Sequence, residues 1–155
     1  MFAMLMVTVP QLLAVSGPQD IIPAPVKYET FDEEYSPKAD GSDVRIHLGD
    51  KSFRKEINAL DLADYARDEA YKLIVSRKGI DIYALSETGV FRAQTSLRMM
   101  LDSDSTLTVC GILDYPRFSH RGVMLDISRN FRDKAFIMKQ LDAMSAVKMS
   151  TLHLH

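Results

Sequence analysis

The chain has 155 residues, 46% of them hydrophobic and 26% charged, with a formal net charge of −2, the make-up of an ordinary globular protein long enough for one domain or a small pair. Its pI is near 6.1 and its Lys and Arg residues are scattered, so the basic footprint of a nucleic-acid binder is missing and no nucleic-acid partner is expected. The single cysteine, Cys110, has no intramolecular disulfide partner, and no Cys/His spacing resembles a zinc site. It reads as a small buried apolar residue, and no metal is expected.

Residues 1–17 are apolar and uncharged and end in the small residues Ala14, Ser16 and Gly17, as the cleavage region of an export signal would, although no positive n-region precedes them. A plain buried leading strand is the alternative. Pro10 interrupts the run, which is too short to span a membrane, and nothing else in the chain could span one. Beyond Gly17, Pro23 and Pro25 enforce extended backbone and remove donors, so residues 21–28 read as an entry segment or edge strand. The acidic, turn-rich residues 31–42 read as loop, punctuated by Pro37 and by Asp40 and Gly41. Val44, Ile46 and Leu48 then alternate with Arg45 and His47, a half-buried strand closed by Gly49. His47 lies on its polar face and reads as a solvated side chain rather than a ligand.

Leu60, Leu62, Ala63 and Ala66 allow a short helix within residues 51–70, against which the frequent Asp residues count. Residues 71–76 and 80–85 are two strand-like runs flanking Arg77, Lys78 and Gly79, a β-hairpin. From about Ser86 onward, Val90, Phe91, Ala93, Gln94, Leu97, Met100 and Leu101 form one stripe on a helix. Residues 107–113 are a further strand candidate, broken by residues 114–118. The pattern then changes: residues 122–127 are almost continuously apolar, as expected of a strand buried on both faces of a parallel sheet. A helix beginning at Arg132 and Asp133 carries Phe136, Ile137, Leu141, Met144 and Val147, and a second strand starts at Thr151. This is a β-α-β unit, whose right-handed crossover lays the two strands parallel.

The run from Tyr115 to Phe131, with Pro116, Arg117, Phe118, Arg121, Gly122, Asp126 and Arg129, resembles the start of the catalytic barrel in the β-N-acetylhexosaminidases of glycoside hydrolase family 20. Leu141, Asp142, Ala143 and Met144, then Leu152, His153, Leu154 and His155, continue the likeness. Upstream, residues 21–26 resemble the family's lead-in. Asp68, Glu69, Ala70 and Tyr71, and Glu87 to Phe91, resemble its small α+β domain. The fold implied is an α+β leading domain over residues 18–113, followed over residues 114–155 by the first β-α-β unit of a (β/α)8 barrel that this chain does not complete.

The resemblance implies removal of terminal N-acetylglucosamine or N-acetylgalactosamine from glycans with retention, the substrate's own acetamido oxygen acting as nucleophile, outside the usual two-carboxylate scheme. No cofactor is implied. In such enzymes an adjacent Asp-Glu pair carries the reaction far downstream, so no catalytic residue is expected in this chain. Asp32 and Glu33, and Asp68 and Glu69, read as solvated surface charge of the leading domain. The one binding residue the resemblance transfers is Arg129, matching the arginine after the first barrel strand that contacts the terminal sugar's ring hydroxyls; a guanidinium fork suits two neighbouring oxygens. Asp126 and His155 are expected to support that contact or to serve structure. Asn130 stands where the family commonly has histidine, and His153 and His155 resemble its paired histidines, without a third ligand that would make a metal site.

A complete barrel takes about 250 residues and eight strands. One β-α-β unit leaves its sheet edges unpaired, which favours self-association or docking with a missing part. The chain alone is therefore expected to be inactive, either as a truncated gene product or with the rest of the barrel supplied by another chain. Two rival readings are a self-contained, non-catalytic α+β module serving interaction or carbohydrate binding, and a structural partner that completes another hydrolase subunit. The absence of Trp and the patterned positions of most Tyr and Phe residues count against the carbohydrate module. Export to the periplasm, the extracellular space or a lysosome is expected if the leading segment is a signal.

Overall fold

The computed structural model describes residues 16–103 and 106–155. The signal-like reading of residues 1–17 therefore lies, apart from Ser16 and Gly17, outside the described residues. Among those described, no helix is long and apolar enough to cross a membrane.

Five strands form one sheet: β1 (Lys27–Tyr35), β2 (Val44–Leu48), β3 (Tyr71–Ser76), β4 (Gly79–Ala84) and β5 (Leu107–Asp114), in the order β1-β5-β3-β4-β2. The hairpin β3-β4 lies inside the sheet, between β5 and β2, with a short turn and a clean alternation of buried and half-buried side chains. Tyr71, Leu73 and Val75 are buried on one face, opposite Ile80 and Ile82 of β4. Gly79 makes the turn possible. Its φ is +126°, and an added Cβ would lie 2.5 Å from the Asp43 carbonyl oxygen, so both conformation and space require glycine.

That buried face receives α3 (Glu87–Ser103), which contributes Ala93, Leu97 and Met100 to a core completed by Leu107, Cys110 and Ile112. Ser86 starts the helix: its hydroxyl accepts the Gly89 N–H at 3.1 Å and donates to the Asp68 carbonyl at 2.5 Å. Cys110 is buried in this core, and burial pushes its thiol up to about 11, which leaves it inert. On the opposite face α1 (Lys51–Asn58), capped by Asp50 accepting the Phe53 N–H at 2.8 Å, inserts Phe53 and Ile57 against Tyr83, Leu113 and Tyr115. A second short helix, α2 (Asp64–Glu69), leads directly into β3. The ambiguous stretch 51–70 thus resolves into two helices rather than one.

The structure departs from the sequence expectations at several points. Residues 31–35 are strand, not loop: Glu34 and Tyr35 pair with Thr108 and Leu107 of β5, beyond a register shift after Thr30. Tertiary pairing overrides the acidic composition because β1 is an edge strand whose carboxylates face water. Of residues 21–28, which read as an entry segment or edge strand, 21–26 are irregular, an entry segment, and strand pairing begins at Lys27. His47 is also more engaged than a solvated residue. Its Nε2 lies 2.8 Å from Asp81, and its ring stacks on Tyr83 at 4.4 Å.

The remaining residues form β6 (Gly122–Leu125), α4 (Lys134–Ala146) and β7 (Thr151–Leu154), with β6 and β7 parallel in the register Gly122 to Thr151 and Leu125 to Leu154. The helix starts where Arg132 and Asp133 are expected to begin it: Asp133 caps it, accepting the Phe136 N–H at 2.8 Å, and its first turn opens at Lys134. Strand β6 is not buried on both faces. Met124 is 58% and Leu154 of β7 46% exposed, since the continuous apolar pattern has only one strand and one helix to pack on in this chain.

Candidate functional site

Two polar clusters flank the β6-β7 pair, one at each end. At the C-terminal end, the loop after β6 is tied to the end of β7 by backbone bonds: Ile127 and Ser128 N–H both donate to the His155 carbonyl, at 3.0 and 3.2 Å, and His155 N–H donates to the Leu125 carbonyl at 2.9 Å. Within this turn Asp126 holds Arg129 twice. Its Oδ1 accepts the Arg129 backbone N–H at 3.0 Å and its Oδ2 accepts Arg129 Nε at 2.5 Å. The Arg129 backbone N–H, and then its guanidinium, hold the Asp126 carboxyl below its usual value against the opposing effect of desolvation. His155 Nδ1 stands 3.8 Å from Asp126 Oδ1. The Arg129 side chain remains 82% exposed, so one edge of its fork is fixed and the other is presented to solvent. The three residues singled out from the sequence are thus brought together. Among the described residues, no group of three His, Cys, Asp or Glu side chains could hold a metal ion.

The cluster at the N-terminal end was not foreseen. Glu69, expected to be solvated, is half-buried: its Oε2 accepts Arg92 Nε of α3 at 2.7 Å and Arg121 Nη2 at 2.6 Å. Arg121 immediately precedes β6, and its Nε also donates to the Lys148 carbonyl at 3.1 Å. Lys148 in turn lies just before β7, with its Nζ 2.8 Å from Asp114 Oδ2 and 2.9 Å from the Tyr71 hydroxyl. Tyr71 lies 2.9 Å from Asp114 and 2.6 Å from the Ser96 hydroxyl. Burial pulls the Lys148 ammonium below the usual lysine value; Asp114 opposes this, and Arg92 and Arg121 add to it.

Lys148 occupies a position that normally favours glycine. Its φ is +59°, and the Lys148 and Met149 N–H groups donate to the carbonyls of Ser145 and Met144 at 3.1 and 2.9 Å, the paired bonds of a Schellman C-cap. The left-handed residue here keeps a side chain because that side chain reaches the buried Asp114. A charged residue just past a helix end was the only signal in the sequence, and it does not distinguish this cap from an exposed one.

Domain 2 of glycosyl hydrolase family 20 matches residues 32–115, more than half of the chain, and the catalytic domain of the same family matches residues 118–155. The chain belongs to glycoside hydrolase family 20. Its similarity to N,N'-diacetylchitobiase of Vibrio harveyi is 42% identity over 94 residues, covering 59% of this chain and 11% of that relative. The human β-hexosaminidase subunit β is 36% identical over 92 residues, covering 57% of this chain and 16% of that one. A crystal structure of a β-N-acetylhexosaminidase superposes with a TM-score of 0.69 at 24% identity, covering 88% of this chain and 26% of that one; this likeness speaks for the fold. The chain spans 8% to 19% of the length of the curated relatives it matches. The family-20 assignment agrees with the resemblance in residues 115–131, and it makes the sheet domain the family's domain 2 and the β6-α4-β7 unit the opening of its catalytic domain.

Proposed function

We propose that the chain contributes to a β-N-acetylhexosaminidase that removes terminal N-acetylhexosamine from glycans by a retaining, substrate-assisted reaction, and that its own part in that reaction is to hold the sugar through Arg129. The observation carrying this reading is the Asp126–Arg129 clamp: a carboxylate takes the backbone N–H and Nε of an arginine whose side chain is otherwise exposed at the C-terminal end of β6. Active sites of β/α barrels lie at that end of the strands. With Nε engaged, the terminal nitrogens are free to donate to two adjacent ring hydroxyls. Asp126 positions the fork and keeps its countercharge, and His155 closes the turn through its backbone while its ring faces the same carboxylate.

The reading assigns residues 18–113 to the leading domain and 114–155 to the barrel start, a division that falls at the last residue of β5, just before Pro116. Export, and self-association through the open edges of β6 and β7, belong to it as well. None of this chain's carboxylates takes the catalytic role, so the 155 residues alone do not hydrolyse glycosides. Asp68 and Glu69 belong to α2, and Glu69 is spent on two arginines.

The test is hydrolysis of a chromogenic N-acetylglucosaminide by the purified chain beside a version extended through a whole barrel. Turnover by the extended protein alone supports the reading. Turnover by the 155-residue chain would mean that its own carboxylates perform the chemistry.

A further inference from the structure

Between the sheet domain and the β6-α4-β7 unit lies a cavity of about 340 Å³, within the size range of small-molecule sites. Its floor is ionic. The Lys148, Arg92 and Arg121 side chains reach it, only 7%, 9% and 17% exposed, and so do those of Glu69 and Asp114, at 13% and 10%. The exposed Arg117 lines it too, so the groups around the cavity include four cations against two carboxylates, an excess of positive charge that favours an anion. Two of the three Lys148 N–H donors are taken by Tyr71 and Asp114, and the third is left for the cavity that the lysine lines. The walls are apolar: Pro23 and Val26 from the entry segment face Tyr115 and Pro116 of the connection between the domains.

We propose that this cavity binds a small organic carboxylate, a single-ring monoanion whose carboxylate meets Lys148 Nζ and whose ring lies along Val26, Tyr115 and Pro116. The excess of positive charge calls for an anion, and phosphate has no apolar body for the walls to hold. The apolar walls favour a ring with few hydroxyls over a sugar acid. The site opens at the N-terminal end of β6 and β7, away from Arg129, so it goes beyond the sugar-binding reading and stands or falls without it.

Isothermal titration of benzoate into the chain tests the proposal, with glucuronate and inorganic phosphate titrated in parallel. Benzoate is expected to bind saturably at one site per chain, ahead of both comparison anions. Ala24, exposed at the cavity rim, is changed to Trp to obstruct it without touching the ions; A24W is expected to weaken benzoate by roughly tenfold or more. The double variant K148M/D114N removes a cation and an anion together and with them the direct donor, and a loss of similar size is expected from one charge-assisted bond. If the double variant does not fold, A24W decides alone. No saturable benzoate binding, binding unchanged in A24W, or phosphate or glucuronate binding more tightly than benzoate would each overturn the assignment.

Discussion

Glu69 and Arg121, separated by 52 residues in sequence, meet at 2.6 Å, and the same Glu69 oxygen also takes Arg92 at 2.7 Å. One atom thereby joins α2, α3 and the approach to β6. Replacing Glu69 with Gln leaves two guanidiniums, 9% and 17% exposed, without their countercharge. The expected loss is about 3 kcal/mol, within the range for breaking a buried pair. Urea denaturation measures it, and a double-mutant cycle with Arg121→Gln should show coupling above about 0.5 kcal/mol. A loss no larger than that of an exposed pair would mean that the seam is open to solvent.

Arg129→Lys tests the sugar-binding reading in an extended, active protein. Lysine keeps the charge but loses the planar fork, so it cannot bond Asp126 and two hydroxyls together. The expected fall in kcat/KM is roughly tenfold to a hundredfold, the worth of one or two charge-assisted bonds. Asp126→Asn should fall in the same direction by less, since the amide oxygen still accepts one of the two Arg129 donors. Wild-type kcat/KM in Arg129→Lys would remove the residue from the sugar contact.

Tyr35 and Asp43 give the sheet domain a pH signature at both extremes. The Tyr35 hydroxyl donates to Asp43, which also accepts the Lys38 N–H at 3.0 Å. The bond to Asp43, then burial, push Tyr35 from its ordinary 10.0 up to about 12, while the same bond holds Asp43 below its ordinary 3.8. A raised tyrosine contributes stability that is complete below pH 10.0 and lost between there and about 12. A lowered carboxyl contributes stability that is present above 3.8 and lost as pH falls below it. Tyr35→Phe should therefore flatten the denaturation midpoint against pH on both limbs. An unchanged alkaline limb would show that another group carries it.

Gly89→Ala should destabilise the domain despite adding a good helix former. The new Cβ would lie 2.6 Å from the Ala70 carbonyl and 3.0 Å from the Ala84 Cβ, so α3 would have to move off the sheet. The cost expected is about 1–3 kcal/mol, typical of overpacking, read as a lowered thermal midpoint. A rise in the midpoint would show that helix propensity outweighs the close approach.

Local pattern made much of this fold legible. The hairpin β3-β4, the strand β2, the stripe of α3 and the β-α-β order each have a period or a turn that a short window captures. Residues 31–35 were missed because an acidic edge strand owes its pairing to Thr108 and Leu107, far away in sequence. At the strand exits, Asp126 and Arg129 are three residues apart, and family resemblance was enough to single them out. Glu69 was misjudged because its partners lie 23 and 52 positions away, and a carboxylate in an acidic helix carries no local sign of being enclosed. Lys148 was missed for the same reason, its partners lying 34 and 77 positions away.

Strands β6 and β7 each have four residues, a span of about 13 Å. Arg121 and Lys148 stand at their entrances, Arg129 and His155 at their exits. That span exceeds the roughly 7–10 Å over which substitutions couple strongly. On the sugar-binding reading, sugar preference can therefore be retuned at one rim while the ion cluster at the other is left as it is, which makes the two rims separately evolvable and separately engineerable parts of one short scaffold.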